Sequence, residues 1–178
     1  VYACEINDYL RELYIKNFKF NPKRIDRDIR EINLDHVPRY DVLCAGFPCQ
    51  PFSKAGTQSG FSHEIAGDMF YYILKFIKAH KPKYLFLENV PNLYRHNNEK
   101  TWKLEMKPRL ERLGYDIEEE ILSPIHFNIP QTRNRMYILG TNLKKTEEKI
   151  KWPVIPKTNN NSLRKLFINN PKKPRPLT

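Results

Sequence analysis

Apolar and polar residues alternate along the chain in blocks that predict a regular succession of strands and helices. Apolar runs and alternating patterns predict five strands, at residues 1–5, 41–45, 84–91, 115–122 and 136–140, and residues 24–32 fit a short edge strand followed by a helical turn. Apolar residues at helical spacing predict three helices, at residues 9–17, 68–80 and 101–113, and a short one at 162–168. This order predicts an α/β fold with a Rossmann-like, mostly parallel sheet, helices on both faces and a reversed strand near the end.

A cysteine follows the predicted strand 41–45 on a stiff turn. Cys49 lies between Pro48 and Pro51, which fix two φ angles and remove two backbone donors. Ligands of open α/β sheets bind at the carboxyl ends of the strands, where this turn lies. A thiol there can act as a nucleophile, although most free cysteines are simply buried. The polar residues 47–66 predict a lid beside the cysteine or, alternatively, a disordered insertion.

A carboxylate and two arginines complete a chemically coherent set. Glu88 lies near the end of the predicted strand 84–91, which brings it to the same rim as Cys49 if the two strands are parallel neighbours. Arg133 and Arg135 share one face if their segment is extended. Suppose that the substrate is cytosine. Attack on its ring then needs a thiolate at C6, a protonated carboxyl at N3 and a cation near O2. A carboxyl keeps its proton near neutral pH only in a desolvated site.

Bulk composition predicts one globular domain. The 178 residues are 40% hydrophobic and 29% charged, without an apolar run of membrane-span length or a signal-peptide pattern. Three cysteines at unrelated spacings and five histidines form no zinc pattern, so we expect no metal and free thiols in a reducing cytoplasm. The first residue is valine and the first segment already predicts a core strand, which suggests a shortened chain.

Positive charge is concentrated near the end of the chain. The formal net charge is +11, and residues 144–178 contribute +8 of it through ten Lys or Arg against two Glu. Such a balance predicts a polyanionic partner, most often nucleic acid. A basic tail also serves simply to solubilise a poorly ordered end, and charge alone does not separate the two interpretations.

Three ordered motifs resemble those of the cytosine-5 DNA methyltransferases. They are Gly-Phe-Pro-Cys-Gln-Pro-Phe-Ser at 46–53, Glu-Asn-Val at 88–90 and Gln-Thr-Arg-Asn-Arg at 131–135, in the family's order over about residues 1 to 155. The resemblance implies methyl transfer from S-adenosylmethionine to C5 of a cytosine flipped out of double-stranded DNA, through a covalent adduct of Cys49 with C6. It further implies a bacterial restriction-modification system, in the cytoplasm and associated with the nucleoid through DNA.

The resemblance also implies roles for individual residues. The catalytic set is Cys49 as nucleophile, Glu88 at N3, and Arg133 and Arg135 near O2 and the cysteine. Residues implied to bind the cofactor are Glu5 at the ribose, Asp28 and Ile29 beside the adenine, Pro48 and Met69. Residues implied to serve the DNA substrate are Phe47 through its carbonyl, Gln50, Ser53 and, as a structural anchor, Asn89.

The chain departs from the family's pattern at both ends. The Phe-x-Gly-x-Gly loop that holds the methionine part of the cofactor is absent, so we expect a methyltransferase sheet that is incomplete at its N-terminal edge. Ala66 stands where the family commonly has a charged residue. We expect a partial catalytic domain at 1–155 and a basic, proline-rich segment at 156–178 leading toward a missing target-recognition domain. A truncation or a second chain that supplies the missing motifs would explain this.

Other functions stay open at this stage. A tRNA cytosine-5 methyltransferase of the same family would use the same chemistry on another substrate. A non-catalytic, basic nucleic-acid-binding remnant would bind with a steep salt dependence and be indifferent to Cys49→Ala. A thiol oxidoreductase is the weakest candidate, because no second cysteine has the spacing to resolve a disulfide.

Overall fold

The computed structural model describes residues 1–48 and 66–156. The strands are β1 (Ala3–Cys4), β2 (Ile25–Asp26), β3 (Val42–Gly46), β4 (Tyr84–Asn89), β5 (Tyr115–Leu122) and β6 (Arg135–Asn142). The α-helices are α1 (Asp8–Phe18), α2 (Ala66–His80), α3 (Asn92–Arg95) and α4 (Lys107–Arg112). A π-helical turn (Thr101–Met106) precedes α4, and short 3-10 turns lie at Pro22–Arg24, Leu34–His36 and Pro124–Phe127.

Local sequence signals set the helix ends. The Asn7 side chain caps α1 by accepting a hydrogen bond from the backbone N–H of Leu10 at 3.0 Å. The helix predicted at 101–113 forms as the π-helical turn followed directly by α4, and Pro108 lies in the first turn of α4. Gly114 follows α4 with φ of 91°, a conformation that suits glycine.

The strands form two hydrogen-bonded sheets. β1 and β2 pair in parallel, and the second sheet has the order β3-β4-β6-β5. β3 and β4 are parallel, whereas β6 runs antiparallel to both β4 and β5. β6 is therefore the reversed strand that the sequence predicts. The register places Gly46 opposite Glu88, so the ends of β3 and β4 lie at one rim.

One hydrophobic core covers one face of the larger sheet. α2 contributes Phe70, Ile73 and Ile77, which belong to the same buried cluster as Leu85 and Leu87 of β4. The later helical segments add Leu93, Trp102, Met106 and Leu110. The expectation of helices on both faces is not met for the larger sheet within the described residues, because Val42 and Phe86 on its other face remain 49% and 41% exposed.

Across residues 1–48 and 66–156, no helix is long and apolar enough to span a bilayer.

Candidate active site

Glu88 and Arg135 meet at the rim where β3 and β4 end. Glu88 lies near the end of β4 and Arg135 at the start of the antiparallel β6, so opposite strand directions bring them together. Glu88 Oε1 and Arg135 Nε are 2.7 Å apart, with both side chains partly buried. A charge-assisted hydrogen bond of this length fixes both groups more firmly than a solvated surface pair. Arg135 also donates from its guanidinium to the carbonyl of Asn134 at 2.8 Å.

Gly46 leaves room for the Glu88 carboxylate. A Cβ at this position would stand 3.3 Å from Glu88 Oε2, which is tighter than an ordinary van der Waals contact. A glycine at the end of β3 therefore lets the carboxylate lie against the backbone that leads into Phe47 and Pro48. The rim is built by this close approach as well as by its charged groups.

Asn89 ties β4 to the segment that leads to Cys49. Its side chain is 2% exposed, and its Nδ2 donates to the carbonyl of Phe47 at 3.3 Å. Its Oδ1 accepts from the N–H of Val90 at 2.8 Å. The Phe47 side chain is buried against Phe70, with ring centroids 5.9 Å apart. This geometry anchors the backbone immediately before the predicted nucleophile.

The two predicted arginines have different surroundings. Arg135 is in β6 and partly buried, whereas Arg133 lies before the strand and is exposed. Arg133 is held through its backbone, whose N–H donates to Ser123 Oγ at 2.9 Å. Within the described residues the structure brings Arg135, and not Arg133, to Glu88. Sequence analysis missed Ser123, a residue only 2% exposed, although a serine before Pro124 is a recognisable cap signal.

A cavity of about 680 Å³ lies beside this rim, between the two sheets. Its lining includes all five predicted cofactor residues, namely Glu5, Asp28, Ile29, Pro48 and Met69. Apolar side chains that sequence analysis did not single out, such as Leu43, Ile73 and Phe76, line it as well. Acidic groups beside an apolar lining suit a ligand that is part sugar and part flat ring.

The two acids in this cavity are held differently. Glu5 Oε1 accepts from the N–H of Asn7 at 2.8 Å, which leaves Oε2 without a hydrogen bond among the described residues. Asp28 accepts from the side chain and the backbone N–H of Arg30. The hydrogen bonds from Arg30 lower the pKa of Asp28 to about 2. Asp28 is thus an ionised acceptor at any physiological pH.

Cys4 also lines the cavity, although sequence analysis did not single it out. Burial of its sulfur, together with the charges of Asp28 and Glu5, raises the pKa of the thiol to about 11. A thiol in that state is a poor nucleophile near neutral pH. Burial likewise raises the pKa of Cys44 in β3.

Some predicted site residues lie outside the described part of the chain. These are Cys49, Gln50 and Ser53, together with most of the predicted lid. Their assigned roles therefore stay predictions. Within residues 1–48 and 66–156, no group of three or more His, Cys, Asp or Glu side chains has an arrangement that could hold a metal ion.

Comparison with known proteins identifies the family of the chain. The family model of the C-5 cytosine-specific DNA methylases matches residues 1–176. The type II methyltransferase M.Bsp6I of Bacillus sp. (strain RFL6) is 45% identical over 141 residues, 79% of this chain and 44% of that protein. M.MspI of Moraxella sp is 40% identical over 140 residues, 79% of this chain and 32% of that protein. The chain thus spans less than half the length of these relatives.

Solved structures agree on the fold. The Entamoeba histolytica methyltransferase EhMeth superposes with a TM-score of 0.65 at 23% identity, over 84% of this chain and 47% of that one. The S. pombe Dnmt2 methyltransferase gives 0.57 at 24% identity, over 85% and 43% of the two chains. These likenesses show a methyltransferase fold. The family model, which matches nearly the whole chain, shows that the chain belongs to the C-5 cytosine-specific DNA methylase family.

Proposed function

We propose that this chain is the catalytic portion of an S-adenosylmethionine-dependent DNA cytosine-5 methyltransferase. The observation that carries the proposal is the 2.7 Å contact of Glu88 with Arg135, on the rim where β3 leads toward Cys49. N3 and O2 are neighbouring acceptors on one edge of cytosine. A carboxyl and a guanidinium held side by side can address both at once, the carboxyl at N3 and the guanidinium at O2.

Cys49 acts as the nucleophile in this proposal. Its thiolate adds to C6 and breaks the C5=C6 double bond, while Glu88 donates a proton to N3 and so neutralises the negative charge that the addition places on the ring. C5 then takes the methyl group, whose donor would leave as a neutral thioether. Removal of the C5 proton by a base, departure of the thiolate and return of the N3 proton to Glu88 restore the double bond and the neutral ring. The carbonyl of Phe47, two residues before Cys49 and bonded by Asn89, is the proposed acceptor for the exocyclic amine of cytosine.

The cavity beside the rim is the proposed cofactor site. When bound there, S-adenosylmethionine supplies an electrophilic methyl group. Glu5 has an uncommitted carboxylate oxygen for the ribose hydroxyls, and Asp28 and Ile29 stand together for the adenine. Pro48 and Met69 complete the lining, close to the segment that leads to Cys49. The residues present fit the adenosine part of the cofactor.

The biological setting and the domain bounds are also proposals. The type II names of the relatives support a role in a bacterial restriction-modification system that acts on double-stranded DNA in the cytoplasm. We assign residues 1–155 to the catalytic domain and 156–178 to a segment leading toward target recognition. Motifs absent from this stretch would come from a longer chain or a second one.

Labelled methyl transfer tests the proposal. The longest natural reading frame that contains this stretch is incubated with labelled S-adenosylmethionine and either DNA or tRNA, as wild type and as Cys49→Ala. Val42→Ala is the control, because it shortens an exposed side chain of β3 that does not line the proposed cofactor cavity. Glu88→Gln, with the exposed Glu111→Gln as its control, tests the carboxyl.

We expect 5-methylcytosine in DNA from the wild type and both controls, and loss of it in Cys49→Ala. DNA carrying 5-fluorocytosine should form a covalent complex through Cys49, because fluorine at C5 cannot leave as a proton does. Label in tRNA would instead support the tRNA enzyme. Activity retained by Cys49→Ala or by Glu88→Gln would overturn the roles given to these residues.

A further inference from the structure

A second cavity, of about 420 Å³, lies at the end of the larger sheet opposite Glu88. Its lining includes Arg39, Tyr40, Asp41, His80, Lys81 and Lys145. β3 and β4 begin at this end and β6 terminates there, because Tyr84 is paired with Thr141. The strand length separates this cavity from the proposed active site, and the two have no lining residue in common.

The charge around this cavity is positive. Arg39, Lys81 and Lys145 are exposed, and none forms an ion pair within residues 1–48 and 66–156. The single carboxylate of the lining, Asp41, is already engaged by Lys83 at 3.2 Å. The carboxyl end of α2 adds partial negative charge, which amounts to about half an elementary charge and is outweighed by three full cations.

A buried ring nitrogen in the same lining lacks a partner. His80 Nε2 is inaccessible to solvent and has no hydrogen bond to any described residue. The His80 ring lies between aromatic neighbours, 5.1 Å from Tyr40 and 6.4 Å from Phe76 between ring centroids. His80 therefore reports on the cavity through its position in the lining, whereas the exposed cations are the groups that a ligand would contact.

We propose that this cavity binds phosphate, and that the natural source is the backbone of nucleic acid. Three unpaired cations from three separate segments surround it, which is an arrangement suited to an anion with several oxygens. Lys144 and Lys145 also open the stretch 144–178, which is the most basic part of the sequence. The site is a second nucleic-acid contact, remote from the cytosine that is methylated.

Salt-dependent DNA binding tests this contact. Binding of the 178-residue chain to a fluorescent duplex is measured from low to physiological salt, for wild type and for Arg39→Gln/Lys81→Gln/Lys145→Gln. The matched control is Lys16→Gln/Lys23→Gln/Lys100→Gln, which removes three exposed, unpaired cations elsewhere. Three phosphate contacts contribute about 2.7 to the slope of log K against log salt. We expect the cavity variant to lose roughly that slope and the control variant to retain it.

A second measurement identifies the source of the phosphate. Inorganic phosphate and the duplex are each titrated against the protein while the ring resonances of His80 are followed by NMR. The proposal expects saturable shifts with the duplex that are absent in the triple cavity variant. Shifts with inorganic phosphate alone would assign the site to a free anion and overturn the nucleic-acid contact. Equal slope losses in the two triple variants, or no shift with either ligand, would overturn the site altogether.

Discussion

Asn89→Asp tests whether the buried amide holds the backbone before Cys49. The replacement keeps the shape of the side chain and the acceptor for Val90, but it removes the donor that bonds the Phe47 carbonyl at 3.3 Å. At pH 8 the introduced carboxylate would be buried and face a carbonyl oxygen. An unpaired buried group costs about 1–3 kcal/mol, and a charged one lies at the upper end, so we expect a loss of about 3 kcal/mol. For a chain of this size, that loss lowers Tm by roughly 6 to 12 °C.

The loss should depend on pH in a definite direction. Burial raises the pKa of the introduced carboxyl above its unfolded value of about 4. Asn89→Asp should therefore be nearly as stable as wild type at low pH, where the protonated carboxyl donates to the Phe47 carbonyl. It should lose that stability as the pH rises through the pKa of the carboxyl in the folded protein. Asn89→Leu removes both hydrogen bonds without adding a titratable group. Its deficit relative to wild type should stay constant with pH.

Urea unfolding followed by circular dichroism between pH 5 and pH 8.5 provides the measurement. Asn98→Asp serves as the control, since Asn98 is exposed and the same charge there should change stability little. Equal stability of Asn89→Asp and wild type at pH 8 would refute the anchoring role. So would a deficit that is as large at pH 5 as at pH 8.

Three further outcomes follow from the site and the surface. Gly46→Val should lower methyl transfer, measured by labelling, more than it lowers stability, measured by thermal melting, because a Cβ there would stand 3.3 Å from Glu88 Oε2. Unchanged transfer would show that the close approach is unimportant. Alkylation of Cys4 at pH 8, followed by peptide mass spectrometry, should be slow because the pKa of the thiol is about 11, and Asp28→Asn should speed it by removing a charge that raises that pKa. Equal alkylation rates in wild type and Asp28→Asn would exclude an effect of Asp28 on the thiol. The chain should self-associate through the exposed apolar face of α1, where Leu13 is 39% exposed. Sedimentation should show Leu13→Glu shifted toward monomer, and a monomeric wild type would contradict the prediction.

The sequence determined the order and type of the main elements. The apolar runs locate β3 and β4 to within two residues at their ends, and helical spacing gives α2, because these patterns follow from which side chains face the core. The spacing of the motifs was also sufficient to identify the family. The strand ends require glycine, proline, cysteine and glutamate at fixed positions, because few other residues allow the same backbone geometry.

Only the tertiary structure decided which groups meet. Alternate spacing suggested that Arg133 and Arg135 act as a pair, yet only Arg135 lies in the antiparallel strand that passes Glu88. Cys4 acquires its surroundings from segments distant in sequence, so no local pattern reveals that it lines the cavity. The serine before Pro124 is recognisable as a cap, but its contact with the N–H of Arg133 is not. The predicted apolar face of α1 likewise stays exposed, because periodicity shows that a helix has an apolar face and not whether anything covers it.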